Sequence, residues 1–196
     1  MSYPQPLTPR LDRLRDRLAS HRPWTDPDAE ALRWAAVAVV LKPAPDAVLL
    51  IRRAERVGDP WSGHMALPGG RREPGDDDLV ATAIRETSEE VGLPLSRGQL
   101  LGVLDDVVPR TPVLPPIAIR PCVFLLHAQL PLTLNPEVAG ARWVELDRLL
   151  HPGTRHPVRL EIRGESREVD AYQLDDAIVW GLTERVLSGL LRHLGG

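Results

Sequence analysis

Apolar residues recur with helical spacing at both ends of the chain. At the N-terminus they predict a helix over about residues 7–19, with Thr8 and Pro9 suited to its first turn. Near the C-terminus they predict a second helix that begins near Ala177 and ends near Leu194. Together with the hairpin predicted before it, this helix occupies about residues 157–194. The apolar positions of this last helix are Ile178, Val179, Leu182, Val186, Leu187, Leu190 and Leu191.

Between these helices the apolar residues fall in short continuous runs, which are typical of buried strands. The first two runs, residues 34–41 and 47–52, are separated by a turn-like segment that contains two prolines. Helices interspersed with strands predict a layered α/β or α+β domain, and 196 residues suffice for one such domain spanning 1–196. The remaining predicted elements are strands at 99–107, 117–129 and 141–144, a short helix at 146–150, and a hairpin formed by 158–162 and 168–172.

A loop rich in glycine and proline, residues 54–78, leads into another predicted helix over about residues 79–91. Gly92 suits a left-handed C-cap at the end of this helix. Asp76, Asp77 and Asp78 are N-cap candidates, and their negative charge is favourable at a helix N-terminus.

Three carboxylates lie on one face of this helix, because Glu86, Glu89 and Glu90 are spaced i, i+3 and i+4. Like charges so placed repel one another, and a divalent cation removes the repulsion. Oxygen-rich clusters of this kind suit Mg²⁺ or Mn²⁺. Arg85 could orient one of the carboxylates through a bidentate pair. The opposite face carries an apolar stripe, consisting of Val80, Ala83, Ile84, Thr87 and Val91.

An acidic helix face that merely contacts solvent is the alternative interpretation of such a charge run. The context argues against it, since Gly69 and Gly70 precede the helix and Gly92 and Leu93 follow it directly. Residues 70–93 resemble the Nudix box, Gly-x5-Glu-x7-Arg-Glu-U-x-Glu-Glu-x-Gly-U, in which U is apolar. The residues that match it are Gly70, Arg85, Glu86, Glu89, Glu90, Gly92 and Leu93.

Two departures from the box are visible. Thr87 occupies an apolar position, and the first acid is an aspartate in a segment that is one residue too long. Asp76 fits this position when counted from Gly70, whereas Asp77 fits when counted from Arg85. Because the first acid resembles a structural partner of the box arginine, the change bears on that ion pair more than on metal binding.

The resemblance implies a Nudix-type α/β/α sandwich with a mixed sheet, and metal-dependent hydrolysis of a diphosphate joined to another group. It implies that Glu86, Glu89 and Glu90 bind Mg²⁺ or Mn²⁺, with a backbone carbonyl from Gly69 or Gly70. Arg85 would then orient Glu86 or Glu89. The general base is left open between a residue of the box, such as Glu89, and a later loop in which Glu137 is the candidate.

The segment upstream of the box resembles the additional motif of the coenzyme A diphosphatases within the Nudix superfamily. Ala54 replaces a serine of that motif, Leu67 replaces a phenylalanine, and the internal arginine is out of register, with Arg56 nearby. The corresponding residues are Leu49, Leu50, Arg53, Gly63, Pro68, Gly69 and Gly70.

This second resemblance implies a coenzyme A (CoA) or acyl-CoA substrate, which offers phosphate charge, an adenine and a flexible pantetheine arm. Arg53 and Arg56 could bind phosphate, whereas Trp61 or His64 could stack on a base or line a pocket. The alternatives are that both arginines are solvent-exposed residues at a strand end and that Trp61 packs only against its own loop.

Composition narrows the range of partners. A net charge of −3 argues against binding to long nucleic acid, which requires concentrated positive charge. No apolar run is long enough to span a membrane, and the first ten residues lack the apolar segment of a secretory signal, so we expect a cytoplasmic protein. The single cysteine, Cys122, excludes an internal disulfide and a cysteine-based zinc ribbon. The sequence leaves a monomer and a homodimer open.

Three functions therefore compete. The first is hydrolysis of CoA or acyl-CoA to 3′,5′-ADP and phosphopantetheine. The second keeps the chemistry with another substrate, such as ADP-ribose, a dinucleoside polyphosphate, NADH or a nucleoside triphosphate; the missing zinc ribbon weighs against NADH. The third is a binding module that has lost catalysis, which would be marked by a depleted carboxylate set. The chain retains Glu86, Glu89 and Glu90.

Overall fold

A mixed β-sheet forms the centre of the protein in a computed structural model that describes residues 6–56, 62–109, 116–127, 130–162 and 164–195. Within these ranges the sheet contains seven strands in the order β3-β2-β1-β6-β5, with β4 also paired to β1 and β7 to β2. Strands β1 and β6 are parallel, and the other pairs are antiparallel. The strands are β1 (Arg33–Lys42), β2 (Ala47–Arg53), β3 (Met65–Ala66), β4 (Gly69–Arg71), β5 (Leu100–Val103), β6 (Ile117–Leu125) and β7 (Val138–Glu145).

Helices cover both faces of this sheet, as the alternation along β1 demonstrates. Val39 and Leu41 pack into one apolar cluster, whereas Ala38 and Val40 pack into the other. Because successive strand residues point to opposite faces, a strand that is covered on both sides has a nearly continuous apolar sequence. This explains the apolar run at residues 34–41.

One cluster joins the sheet to the helices α1, α3 and α4, and the other joins it to α2. A small antiparallel sheet of β8, β9 and β10 contributes to the first cluster through Tyr172 and Val179. The predicted α/β/α sandwich is therefore confirmed. The bounds are α1 (Pro9–Ser20), α2 (Leu79–Val91), α3 (Leu146–Leu150), β8 (Arg155–Ile162), β9 (Glu165–Gln173), β10 (Ile178–Trp180) and α4 (Gly181–Arg192).

Two parts of the sequence prediction were wrong. Residues 178–180 form strand β10 rather than the first turn of the last helix, because these β-branched and aromatic side chains pair with β9 before Gly181. The loop at 54–78 contains the short strands β3 and β4. In the described part of the chain, no helix is both long and apolar enough to cross a membrane.

We expect the C-terminal helix to be part of the same cooperative unit as the sheet. Leu187 is fully buried in the cluster that also contains Val39 and Leu41. Leu187→Ala should lower the free energy of unfolding by about 2–5 kcal/mol through cavity formation. Urea denaturation should show one transition, displaced to lower urea.

Leu150→Ala is the matched control, because this leucine of α3 is 39% exposed. It should cost less than about 1 kcal/mol. A separate transition that involves only the last helix would contradict a single domain spanning 1–196.

Candidate active site

Helix α2 holds the predicted site residues in a fixed orientation. The Asp78 side chain caps its N-terminus by accepting a hydrogen bond from the Ala81 N–H at 2.8 Å. Gly92 ends it in a left-handed conformation with φ 68°, as predicted. The predicted apolar stripe packs on the sheet, and it includes Thr87, whose buried hydroxyl donates to the Ala83 carbonyl at 2.7 Å. A hydroxyl that is satisfied within the helix explains how threonine fits an apolar position.

Glu90 lies deepest of the three predicted carboxylates, with an exposed fraction of only 6%. Its Oε2 accepts a hydrogen bond from the backbone N–H of Gly69 at 2.9 Å. Burial raises the pKa of Glu90 to about 7, although the Gly69 N–H opposes the shift. The α2 helix is thereby joined to strand β4 through a carboxylate whose charge is costly to bury.

Glu86 lies against the next glycine of that strand. A methyl group at Gly70 would come within 2.3 Å of Glu86 Oε1, so any residue larger than glycine would displace the carboxylate. Burial also raises the pKa of Glu86, whereas Arg85 lowers it. The side chain of Glu89, in contrast, is more than half exposed.

Arg85 lies within hydrogen-bonding distance of three acids, and a fourth, Glu73, has its Oε1 4.0 Å from Arg85 Nη1. It forms a bidentate pair with Asp76, through Nε to Oδ1 at 3.0 Å and Nη2 to Oδ2 at 3.1 Å. Its Nη1 contacts Glu86 Oε1 at 3.0 Å and Glu89 Oε2 at 3.1 Å. Arg85 therefore contacts both Glu86 and Glu89, the two carboxylates that the resemblance gave as alternatives for it to orient.

Asp76, rather than Asp77, is the first acid of the box. Its carboxylate also accepts hydrogen bonds from the Thr82 hydroxyl and the Glu73 N–H, both at 2.9 Å. The Arg85 guanidinium holds the pKa of Asp76 well below its usual range. The additional residue in the box is thus accommodated in the loop before α2, and the shorter aspartate keeps the ion pair.

The donor set fits a hard divalent cation. Glu86 and Glu90 are carboxylates whose negative charge burial disfavours, and a cation would remove that cost. In the ranges described above, no three acidic or histidine side chains already surround one point as metal ligands. The reason is visible in their contacts: Glu89 turns to Arg85 and Glu90 turns to the Gly69 N–H.

A cavity of about 370 Å³ opens beside this cluster, and Arg53, His64, Gly69 and Gly70 line it. Trp180, on the other side, meets the His64 ring edge to face, with centroids 5.1 Å apart. Trp180 and the first turns of α4 form a wall of the cavity that the sequence did not lead us to predict as part of the site. The sequence feature that could have indicated this wall is the aromatic residue Trp180, directly before Gly181.

The upstream loop returns to the site through main-chain contacts. The Arg53 N–H donates to the His64 carbonyl at 3.0 Å, and the Gly63 N–H donates to the Arg53 carbonyl at 3.2 Å. These bonds bring the predicted substrate residues Arg53 and His64 together. The predicted substrate residue Trp61 lies outside the described residues.

The two remaining candidates contact each other. Arg56 Nη2 donates to Glu137 Oε1 at 2.9 Å, and both side chains are more than half exposed. The main chain reinforces this approach, since the Ala54 N–H donates to the Glu137 carbonyl at 2.8 Å. A predicted phosphate ligand and a predicted base are thus an ion pair at the edge of the site.

Two further acids have structural partners. Asp106 forms a bidentate pair with Arg120 at 2.8 and 2.9 Å, and Asp105 accepts a hydrogen bond from the Trp24 N–H at 2.8 Å. Both line a separate polar cavity of about 520 Å³. Cys122 is fully buried, and desolvation raises the pKa of its thiol to about 12, as expected of a core residue.

A mixed sheet between helices, with an acidic helix packed on a Gly-Gly strand, is the arrangement that can now be compared with known protein families. Residues 31–163 match the NUDIX domain, and the chain belongs to this family. It is a Nudix hydrolase, an enzyme that cleaves a diphosphate bond.

Relatives cover nearly the whole chain. The uncharacterized Nudix hydrolase NudL of Citrobacter koseri is 31% identical over 188 residues, which are 94% of this chain and 95% of the relative. NudL of Photorhabdus laumondii is 32% identical over 163 residues, 83% of this chain and 85% of the relative. A MutT/nudix family protein from Enterococcus faecalis shares the fold, with a TM-score of 0.59 at 18% identity, over 97% of this chain and 81% of the other.

The Asp76–Arg85 pair should stabilise the site measurably. Asp76→Asn leaves one face of Arg85 without its charged partner and should lower the free energy of unfolding by about 1–3 kcal/mol at neutral pH. Because the pKa of Asp76 is depressed in the folded state, this contribution is present above the ordinary carboxyl pKa and lost below it. The difference from the unaltered protein, measured by urea denaturation, should therefore shrink on acidification.

Asp77→Asn is the matched control, because the side chain of Asp77, next to Asp76 in the chain, is exposed. It should leave stability nearly unchanged. Equal losses from the two substitutions would contradict the assignment of Asp76 as the first acid of the box.

Proposed function

We propose that the protein hydrolyses the diphosphate bond of CoA or acyl-CoA, releasing 3′,5′-ADP and phosphopantetheine or its acylated form. The observation that carries this proposal is that three residues of the CoA-type motif, Arg53, Gly69 and Gly70, line one cavity. Arg53 lies at the end of β2 and Gly69 and Gly70 form β4, and all three border the cavity beside Glu90. A diphosphate at the carboxylates would therefore meet the arginine of the motif.

The cation-binding residues in this proposal are Glu86, Glu89 and Glu90, with the Gly70 carbonyl. Mg²⁺ or Mn²⁺ would supply charge stabilisation at the phosphate oxygens and lower the pKa of the attacking water. Asp76 already accepts from two nitrogens of Arg85. Glu86 and Glu89 can therefore move away from the Arg85 guanidinium towards a cation, and Arg85 stays paired with Asp76.

The reaction consumes one water molecule. Its oxygen attacks one phosphorus, the bridging P–O bond breaks, and each product leaves with a terminal phosphate. Glu137 is the candidate that would accept the proton of the water, and Arg56, 2.9 Å away, would bind phosphate. Arg53, on the cavity wall, would bind phosphate charge.

Product analysis tests the substrate. The protein should convert CoA with Mg²⁺ or Mn²⁺ to 3′,5′-ADP and phosphopantetheine, resolved by chromatography. Its kcat/KM for CoA should exceed that for ADP-ribose, NADH or diadenosine tetraphosphate by at least about tenfold, because a site built for polar groups of one substrate discriminates strongly. No release from CoA alongside rapid cleavage of another compound would refute the proposal.

Glu86→Gln provides the enzyme control for this assay, and it should reduce turnover at least about 100-fold by removing a charged ligand. Glu145→Gln is the matched substitution at an exposed glutamate at the end of β7. It should leave turnover unchanged, which would assign the activity to the site rather than to a contaminant.

The Arg56–Glu137 pair separates binding from proton transfer. With CoA as substrate, Glu137→Gln should lower kcat by roughly 10²–10⁴-fold with little change in KM, as expected for loss of a general base. Arg56→Gln should instead raise KM by about tenfold with most of kcat retained, because it removes a phosphate contact.

Steady-state kinetics of both variants and of the double variant provide the measurement. If both substitutions change the same parameter by the same factor, and the double variant adds nothing, the two residues form only a structural ion pair. That outcome would return the role of base to the carboxylates of α2.

A further inference from the structure

The cavity beside the carboxylates has walls of a distinct chemical character. Polar side chains, among them Arg53, His64 and Arg71, contribute to the lining, but most lining side chains are aliphatic. The aliphatic residues that matter here are Val37, Met65, Ile119, Leu182 and Val186. Such a surface favours a saturated carbon chain over a charged or hydrogen-bonding group, because a polar group buried without a partner is costly.

The position of the cavity determines which part of a substrate can enter it. Gly69 binds Glu90 through its N–H, Gly70 contacts Glu86, and both glycines also line the cavity. None of the three carboxylates lines the cavity, but these two glycines connect it to them, so we take its occupant to be a group attached to a diphosphate bound at the carboxylates. The volume of the cavity, about 370 Å³, is near the lower end of the range for small-molecule pockets. The cavity therefore suits one half of CoA rather than the whole molecule.

The two halves of CoA differ in the relevant property. The nucleotide half carries a charged 3′-phosphate and a purine with several hydrogen-bonding atoms. The pantetheine half is uncharged beyond its phosphate: a methylene and then a carbon that bears two methyl groups come first, and a hydroxyl and two amides follow. Trp180 and His64 are the aromatic residues of the wall, and they contact each other edge to face. The aliphatic surface thus matches the pantetheine half.

The wall also has an unusual origin in the chain. The family match ends at residue 163, yet Trp180, Leu182 and Val186 from β10 and α4 close one side of the cavity. Residues outside the matched domain are therefore in position to select the substrate.

We propose that this cavity binds the pantetheine arm, with the dimethyl-bearing carbon against Val37, Ile119 and Val186, and that residues 180–186 determine specificity for it. This inference rests on the proposed CoA diphosphatase function. The 3′,5′-ADP half then lies outside the cavity.

The test measures the binding of each product half separately, by isothermal titration calorimetry with Mg²⁺ present. Leu182→Trp fills the cavity and should weaken binding of 4′-phosphopantetheine at least about tenfold, while the Kd of 3′,5′-ADP stays within about twofold. Leu191→Trp is the matched control, because Leu191 is also a partly buried leucine of α4 but does not line the cavity. It should change neither Kd.

If Leu182→Trp does not fold, as judged by circular dichroism, Leu182→Ala takes its place. This variant should weaken phosphopantetheine binding several-fold through lost contacts. Weakened 3′,5′-ADP binding with unchanged phosphopantetheine binding, no change in either, or no binding of phosphopantetheine by the unaltered protein would each overturn the inference.

Turnover of CoA by the unaltered protein reports separately on the proposed function. Cleavage of CoA combined with an effect of Leu182→Trp on 3′,5′-ADP alone would overturn the cavity assignment and leave the diphosphatase in place. Failure to cleave CoA would overturn the proposed function itself, whatever the binding data for the product halves.

Discussion

The hydrogen bond from the Gly69 N–H to the buried carboxylate of Glu90 joins helix α2 to strand β4, and the site depends on this junction. A carboxylate with an exposed fraction of 6% is costly in free energy unless its charge is compensated. The helix can nevertheless approach the strand closely because the strand residues are glycines. At Gly70 the gap is so narrow that a Cβ atom would overlap Glu86. Close packing and the unfavourable carboxylates are thus consequences of the same geometry.

Arg85 distributes its charge unequally over the surrounding acids. Asp76 takes two of its donors and is anchored by Thr82 and the Glu73 N–H as well, so this pair belongs to the scaffold. Glu86 and Glu89 share the remaining nitrogen. One guanidinium cannot neutralise three neighbouring acids in addition to nearby Glu90. The local surplus of negative charge gives a physical reason for a cation at this position.

The sequence predicted both ends of α2 because its end signals are local. An aspartate cap and a glycine in the left-handed conformation act within a few residues of the helix. The ion pair of the first acid was different, since counting along the chain left Asp76 and Asp77 equivalent. Only the path of the loop between β4 and α2 decides between them. Local rules likewise predicted that Ile178–Trp180 begin a helix, and pairing with β9 prevailed.

Side-chain contacts between segments that are far apart in the chain could not be predicted from the sequence. Arg56 and Glu137 were assigned separate roles from the sequence. They are 81 residues apart in the chain, yet their side chains form a hydrogen bond of 2.9 Å. The same holds for His64 and Trp180, which meet in the wall of the cavity. Periodicity and motif spacing describe single elements, whereas these pairs arise where β7 lies beside β2 and β10 packs on β3.

The acidic helix and one wall of the cavity come from different parts of the chain. The carboxylates, Arg85 and the Gly-Gly strand lie within residues 31–163, the part that matches the family domain. The C-terminal α4 helix packs on the face of the sheet opposite α2, through Val186, Leu187 and Leu190, and its first turn reaches the cavity. A change in that turn can alter the shape of the cavity without moving α2, because the sheet lies between the two helices.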